Sequence, residues 1–319
     1  MIQATIATIA TLSLLSTAAL AAEHDVPGDF QTIQQAVTAA SSGDVINVGP
    51  GTWSGRVDFR GKDLWIRSTD GTEETILDAG SLSSVVMFIS GEGTGAILEG
   101  FTITGGTGQL FKGELTGGGI QIVNSSPTIR DCHITGNTAT FGGGMAIWQG
   151  EPILDNCLFT DNHATNDGGG LRLHEYTTLV MEDCNFVGNT AGVFGGAVNY
   201  GHYSEGHHIN CEFDGNSAGL RGGAIASACE CNDPQLTGTD ICNSVPDHIL
   251  GGWQDFGGND FCPVCAMDLN TDGVVNVNDV LQVINAWGGC VCVEDVDGDN
   301  VVGVNDLLAV IDEYGQCPG

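Results

Sequence analysis

Between Gly117 and Ile225 apolar residues alternate with polar ones in short bursts, as in Met145-Ala-Ile147, Leu171-Arg-Leu173 and Cys184-Asn-Phe186, and glycine bounds each burst. A period of two is the strand pattern, because successive side chains leave a strand on opposite faces. The bursts themselves recur. A glycine-rich phrase opens as GGGI at Gly117 to Ile120 and returns as GGGM ending at Met145, GGGL ending at Leu171, GGAV ending at Val198 and GGAI ending at Ile225, spaced 25 to 27 residues apart. Between these openings a cysteine is followed by an apolar residue, an asparagine and an alanine. The sets are Cys132, Ile134, Asn137, Ala139; Cys157, Phe159, Asn162, Ala164; Cys184, Phe186, Asn189, Ala191; and Cys211, Phe213, Asn216, Ala218.

A unit of this length cannot bury its own apolar face and must stack on its neighbours, while several glycines per unit disfavour a helical repeat. Stacked about 4.7 to 4.9 Å apart, equivalent positions form ladders. Cysteines and Phe or Ile are expected to face inward. Asn137, Asn162, Asn189 and Asn216 are expected at one corner, since asparagine tolerates a left-handed backbone and its amide can bond along the stack. The pattern resembles the right-handed parallel β-helix of the pectate-lyase-like superfamily. The fold expected is therefore an all-β right-handed solenoid over residues 23–261.

Upstream, Phe101-Thr-Ile-Thr-Gly-Gly106 matches Cys132-His-Ile-Thr-Gly-Asn137 position for position, so coiling starts before the clearest repeats. Strands are expected at Val45 to Val48, Leu64 to Arg67, Thr75 to Asp78, Val85 to Ser90 and Ile97 to Thr104, with a turn at Gly49 to Trp53 and an inserted loop from Thr107 to Thr116. Phe30 to Ala40 reads as an N-terminal capping helix: Thr32 and Gln35 form a capping-box pattern, and Ile33, Ala36, Val37 and Ala40 share one face. The segment after it resembles the opening of bacterial β-helix proteins and, more distantly, of pectin methylesterases. Trp53, Ser54 and Gly55 stand where the methylesterase pattern has Tyr and a following Glu, so that enzyme's signature is not carried. Val245 to Phe261 reads as a last irregular rung, beside a cluster of Cys229, Cys231 and Cys242 that suits a disulfide.

From Asp268 the pattern changes. Oxygen-bearing residues stand at Asp268, Asn270, Asp272, Asn276 and Asp279, with Gly273 sixth and the Val274 carbonyl seventh, which is EF-hand loop spacing. The phrase returns 27 residues later as Asp295, Asp297, Asp299, the Val301 carbonyl and Asp306. An amphipathic helix follows each loop, through Val280, Leu281, Val283, Ile284 and Trp287, then Leu307, Leu308, Val310, Ile311 and Tyr314. This duplication, with Asp at the twelfth position, resembles the type I dockerin and places a small α-helical calcium-binding module at residues 266–317. The resemblance implies two Ca2+ ions and a cohesin-like protein partner. Cohesin recognition leans on positions ten and eleven, which here are Val277 and Asn278, then Val304 and Asn305.

Residues 1–22 are apolar and end in Ala19-Leu20-Ala21, an A-x-A-like cleavage site, and read as a secretory signal; the rival reading is a retained anchor, since no Lys or Arg precedes the apolar run. A secreted, extracellular chain with no membrane insertion after signal removal is expected. Such a location permits disulfides among the 12 cysteines. The pairs Cys265 and Cys292, and Cys290 and Cys317, share the 27-residue spacing and suit a clasp between the two halves of the module. The ladder Cys132, Cys157, Cys184, Cys211 reads as buried free thiols, because in-register side chains point the same way; disulfides between rungs are the alternative.

Eight Lys and Arg against 40 Asp and Glu give a net charge of -32, which excludes nucleic acid and anionic membrane as partners. Outward positions after each Gly-Gly corner form a surface column, Gln121, Ala146, Arg172, Asn199 and Ala226, beside Val123, Trp148, His174, Gly201 and Ala228. Trp148, Arg172 and His174 are the candidate carbohydrate-binding residues. Arg172, His174 and Glu175 are the candidate catalytic ones, should the face act as a lyase or glycoside hydrolase rather than as a polysaccharide-binding module.

Overall fold

The computed structural model describes residues 21–227, 234–261, 269, 274–288, 294, 296, 301–312 and 314–316. The expected signal lies outside them, apart from its last two residues. Each turn of the solenoid is a bent coil of short strands. In one turn Met145–Gly150, Ile153–Asp155, Leu158–Thr160 and His163–Asp167 follow one another, and each pairs in parallel register with its counterpart one turn on. The four positions build a front sheet led by the Gly-Gly corners, a second sheet, a nine-stranded third sheet and a six-stranded fourth. Front and second sheets merge because Leu171–Glu182 is one 12-residue strand serving both.

The inward ladders form as the repeat requires. Phe159 and Phe186 stack with ring centroids 4.5 Å apart at 7°, and Phe186 and Phe213 at 5.0 Å and 8°. Cys132, Cys157, Cys184 and Cys211 are free and buried beside them. Burial pushes the thiols of Cys132 and Cys211 up to about 12, so they stay protonated and act as small apolar side chains. Cys242, in the last turns, is disulfide-bonded. Cys229, Cys231, Cys265, Cys290, Cys292 and Cys317 lie outside the described residues.

The asparagine ladder is hydrogen-bonded from rung to rung. Nδ2 of Asn137 donates to Oδ1 of Asn162, Nδ2 of Asn162 to Asn189, and Nδ2 of Asn189 to Asn216, at 3.1, 2.9 and 3.0 Å. The left-handed backbone sits elsewhere than expected. It falls one residue earlier, at Gly136, Asp161, Gly188 and Gly215, and again at Asp131, Asn156, Asp183 and Asn210 just before each cysteine. The ladder asparagines are therefore selected for their amides, and their neighbours make the corner.

At the Gly-Gly corners the first glycine is left-handed, as at Gly168 with φ 70°. A Cβ on the second, Gly169, would overlap the Gly196 and Thr190 carbonyl oxygens, backbone that cannot move aside. The third has more room: a Cβ at Gly170 would meet the Ala197 oxygen at 2.8 Å, and alanine itself occupies this place at Ala197 and Ala224. This is why the third letter of the motif relaxes from Gly to Ala.

Two expectations are corrected in the N-terminal half. Gly51–Ser54 is a strand of the third sheet paired with Thr75–Asp78, not a turn. Ile97 to Thr104 is two strands, Ile97–Glu99 and Thr102–Thr104, with left-handed Gly100 in the bend between them. Helix α1, Ile33–Ala39, buries Ile33, Ala36 and Val37 in the common core, and Thr32 Oγ1 accepts from Gln35 N. The Gln35 side chain accepts from Gln31 N rather than from the cap residue, so only half of the capping box forms.

The C-terminal pair of helices, α2 at Val277–Asn285 and α3 at Val304–Asp312, repeats one packing. Val275 and Val283 meet Val302 and Val310, each 27 residues on, in a small core. No helix among the described residues is long and apolar enough to cross a membrane.

Candidate functional site

The column expected on the front sheet is present in register: Gln121, Ala146, Arg172, Asn199 and Ala226 occupy successive rungs, with Val123, Trp148 and His174 alongside. It is not a solvated surface. Gln121, Ala146, Asn199 and Ala226 are buried, and the Arg172 side chain is only 13% exposed. Part of the cover is the stretch read as an inserted loop. Residues 109–116 form an antiparallel hairpin, Gln109–Phe111 against Glu114–Thr116, turning through left-handed Lys112 and Gly113. Its second strand joins the fourth sheet through Thr116 and Phe141, and Thr116 Oγ1 donates to Gln121 Oε1 at 2.6 Å.

Under this cover Arg172 Nη1 donates to Asp167 Oδ2 at 2.9 Å and to Asn199 Oδ1, and the guanidinium lies 5.5 Å from the Phe141 ring centre. Four neighbouring polar atoms are buried without a partner: Arg172 Nε, Asn199 Nδ2, Asp167 Oδ1 and His174 Nδ1. Burial raises the Asp167 carboxyl above its ordinary range despite the adjacent guanidinium, and burial lowers Arg172. Both shifts oppose an isolated charge, so each group relies on the other. Burial, then the charge of Arg172, pushes His174 down to about 4, so its imidazole is neutral at pH 7.

Trp148 is half-buried rather than exposed. His174 stacks on it at 4.1 Å and 14°, Lys112 Nζ lies 3.5 Å from the ring centre, and Phe111 meets it edge-on at 5.2 Å. Lys112 also reaches Glu175 at 3.8 Å. Phe111, Lys112, Glu114, Trp148, Arg172 and His174 line a cleft of about 220 Å³ between hairpin and sheet. Of the four residues with unpartnered atoms, Arg172 and His174 line the cleft, which sets a guanidinium and a neutral imidazole beside the rings of Phe111, Phe141 and Trp148.

A family model described as the right-handed beta helix region matches residues 82–241, which include the hairpin, the ladders and this cleft. The chain belongs to the right-handed β-helix family. Among solved structures this β-helix is similar to a pectin methylesterase from carrot, at 14% identity and a TM-score of 0.44 over 76% of this chain and 90% of that one. It is similar also to an alginate lyase from Paenibacillus sp. str. FPU-7, at 14% identity and a TM-score of 0.30 over 72% and 93%. These likenesses concern the fold. No curated protein matches the chain.

Of the residues singled out from sequence, the β-helix brings Arg172, His174 and Trp148 together and puts Glu175 beside Lys112. His202 lies 6.5 Å from His174, ring to ring, and Gly201 N donates to the Leu173 carbonyl. Ala228 lies outside the described residues. Sequence reasoning missed Asp167, Phe111 and Lys112, which reach the site from a neighbouring sheet and from the hairpin. The one available signal was the length of the insertion.

Of the calcium ligands expected, Asp268, Asn270, Asp272, Asp295, Asp297 and Asp299 lie outside the described residues, and Val274 begins a two-residue strand paired with Gly315–Gln316. Val301 is half exposed. Asp279 and Asp306 are fully buried; Oδ2 of each accepts from the backbone three residues upstream, from Asn276 N and Gly303 N. Among the described residues no three His, Cys, Asp or Glu converge on a point. Asp279 completes a capping box with Asn276 at the start of α2, and the second oxygen of Asp306 accepts from Val296 N.

Proposed function

We propose that the chain is a secreted β-helix protein that binds polysaccharide in the cleft around Trp148, Arg172 and His174, with α1 closing its N-terminal end. The observation that carries this reading is the lining of the cleft, where the rings of Phe111, Phe141 and Trp148 stand beside the Arg172 guanidinium and the neutral His174 imidazole. Aromatic rings meet the C–H faces of a sugar, and polar side chains beside them meet its hydroxyls. The test is incubation with a panel of pectins, alginates and neutral glycans, reading retention, unsaturated ends and reducing ends together. Retention on at least one glycan, lost in Arg172→Ala, is expected. Absence of both retention and cleavage across the panel refutes the reading.

A second reading, an active lyase or hydrolase, is favoured by one feature. His174 lines the cleft and is neutral at pH 7, so its imidazole is already in the base form. New unsaturated or reducing ends, abolished in His174→Ala, would establish it.

We further propose that residues 266–317 are a dockerin-like calcium module that attaches the chain to a protein partner such as a cohesin. Its duplicated helices leave Leu281, Ile284, Leu308 and Ile311 half exposed, which suits a protein-facing surface. Asp279 and Asp306 would each hold one ion together with the other loop oxygens, and the ions would neutralise loops that otherwise repel themselves. A chelator is therefore expected to cause a transition confined to this module, seen as loss of amide protection in α2 and α3 while the β-ladders keep theirs. Unchanged protection on chelation, with no heat on calcium titration, refutes the metal assignment.

A further inference from the structure

Two residues beyond His174 of the cleft, Tyr176 stacks in parallel with Tyr203 of the next turn, with centroids 5.2 Å apart at 5°, and the His202 ring lies 6.5 Å from that of His174 and 6.4 Å from that of Tyr203. Both have a left-handed backbone, at φ 55° and 54°, and they are the only aromatic residues to do so among the described residues. The other left-handed corners of the solenoid are mostly Gly, Asn or Asp, which adopt that conformation with least strain. A ring at such a corner is strained, and burial does not compensate, because the two tyrosines are 66% and 56% exposed. Strain held at exposed aromatic residues points to a role in recognition. The pair is tied to the cleft through its neighbour: Glu175 is also left-handed, at φ 46°, and meets Lys112 over Trp148.

The charge of the chain narrows what could lie there. Seven of the eight cations are already engaged. Arg130, Arg172 and Arg221 are paired with carboxylates, Lys62 donates to the carbonyls of Val37, Thr38 and Ala40, Arg60 and Arg67 donate to Thr38 and Asn47, and Lys112 is shared between Trp148 and Glu175. With a net charge of -32, Glu114 lining the cleft and Glu175 beside Lys112, a polyanion meets repulsion and little free positive charge.

We infer that the cleft takes an uncharged polysaccharide rather than a polyuronate, and that Tyr176 and Tyr203 form a sugar-contacting subsite beside it. This rests on the reading of the cleft as a polysaccharide site. The apolar faces and edges of the rings meet the C–H surface of a pyranose, and the hydroxyls and amides of the cleft meet its oxygens. No charge is needed on the ligand.

The test is affinity electrophoresis of the full chain through gels containing polygalacturonate, alginate, galactomannan or xyloglucan, with and without calcium, for wild type and for Tyr176→Asn/Tyr203→Asn. Asparagine is chosen because it suits the left-handed corners, so the melting temperature is expected to hold or rise while affinity falls about tenfold. Retardation by an uncharged glycan, weakened in the double variant, supports the inference. Retardation by polygalacturonate or alginate alone overturns it and leaves the broader polysaccharide reading standing. Retardation by an uncharged glycan that the variant leaves unchanged overturns the tyrosine subsite. Retardation by none of the gels refutes both readings together.

Discussion

Asn189→Ala is expected to destabilise the solenoid by about 2 to 4 kcal/mol. The Asn189 amide is wholly buried and makes four contacts. Its Nδ2 donates to the Phe159 carbonyl at 2.9 Å and to Asn216 Oδ1 at 3.0 Å, and its Oδ1 accepts from Asn162 N at 3.2 Å and from Asn162 Nδ2 at 2.9 Å. Two of these partners have a second bond: Asn162 Nδ2 also reaches the Ile134 carbonyl, and Asn216 Oδ1 also takes Asn189 N. Asn162 N has no second acceptor among the described residues and is stranded in a dry interior at a cost of about 1 to 3 kcal/mol, while the Phe159 carbonyl stays within the strand ladder that pairs Leu158–Thr160 with Asn185–Val187. Because a solenoid rung touches only its neighbours, a break here also separates the turns before it from those after it. Guanidinium unfolding is expected to show a lower midpoint and a shallower slope. A loss below about 1 kcal/mol would mean that the corner closes without its amide, and the ladder would then be packing alone.

That ladder was legible in the sequence because its spacing is a direct copy of the coil length. The inward Phe and Cys rows and the register of the front-sheet column were legible for the same reason: once the period is known, equivalent positions must stack. Reading failed where a residue's environment comes from outside its own rung. Trp148 lies at an outward strand position, and nothing in its neighbourhood announces that residues 109–116 fold back across it. Arg172 was singled out as a surface base, yet Asp167 and Asn199 bury it in an ion pair and amide contact, from a neighbouring sheet and a neighbouring turn. The left-handed corners were misassigned to the ladder asparagines because Asn serves both as corner residue and as ladder amide. Tyr176 and Tyr203 were invisible for the opposite reason, since tyrosine is not a residue from which a left-handed turn would be inferred.

The burial of Arg172 makes its removal pH-dependent. Arg172→Ala leaves the Asp167 carboxylate buried without its counter-charge, and breaking one side of a buried pair costs about 3 to 5 kcal/mol. The Asp167 pKa is already raised in the folded protein by burial, with the guanidinium opposing that rise; without Arg172 it rises further. A raised folded pKa means that the folded state holds its proton more tightly than the unfolded chain does. The variant's stability is therefore greatest at acid pH and falls as pH climbs through the folded pKa. His174 acts in the opposite sense in the wild type. Held down at about 4 by burial and by Arg172, it contributes stability that is present above its ordinary value and lost as pH falls towards 4. Removing Arg172 relieves part of that acid loss. Both effects make the gap between wild type and Arg172→Ala widest near neutrality and narrower in acid, which melting curves across the range would show. Asp167→Asn in the Arg172→Ala background is expected to recover much of the loss at neutral pH, because a neutral amide needs no counter-charge. A gap independent of pH, with no recovery in the double variant, would place the cost in lost contact with Asn199 and Phe141 rather than in the stranded carboxylate.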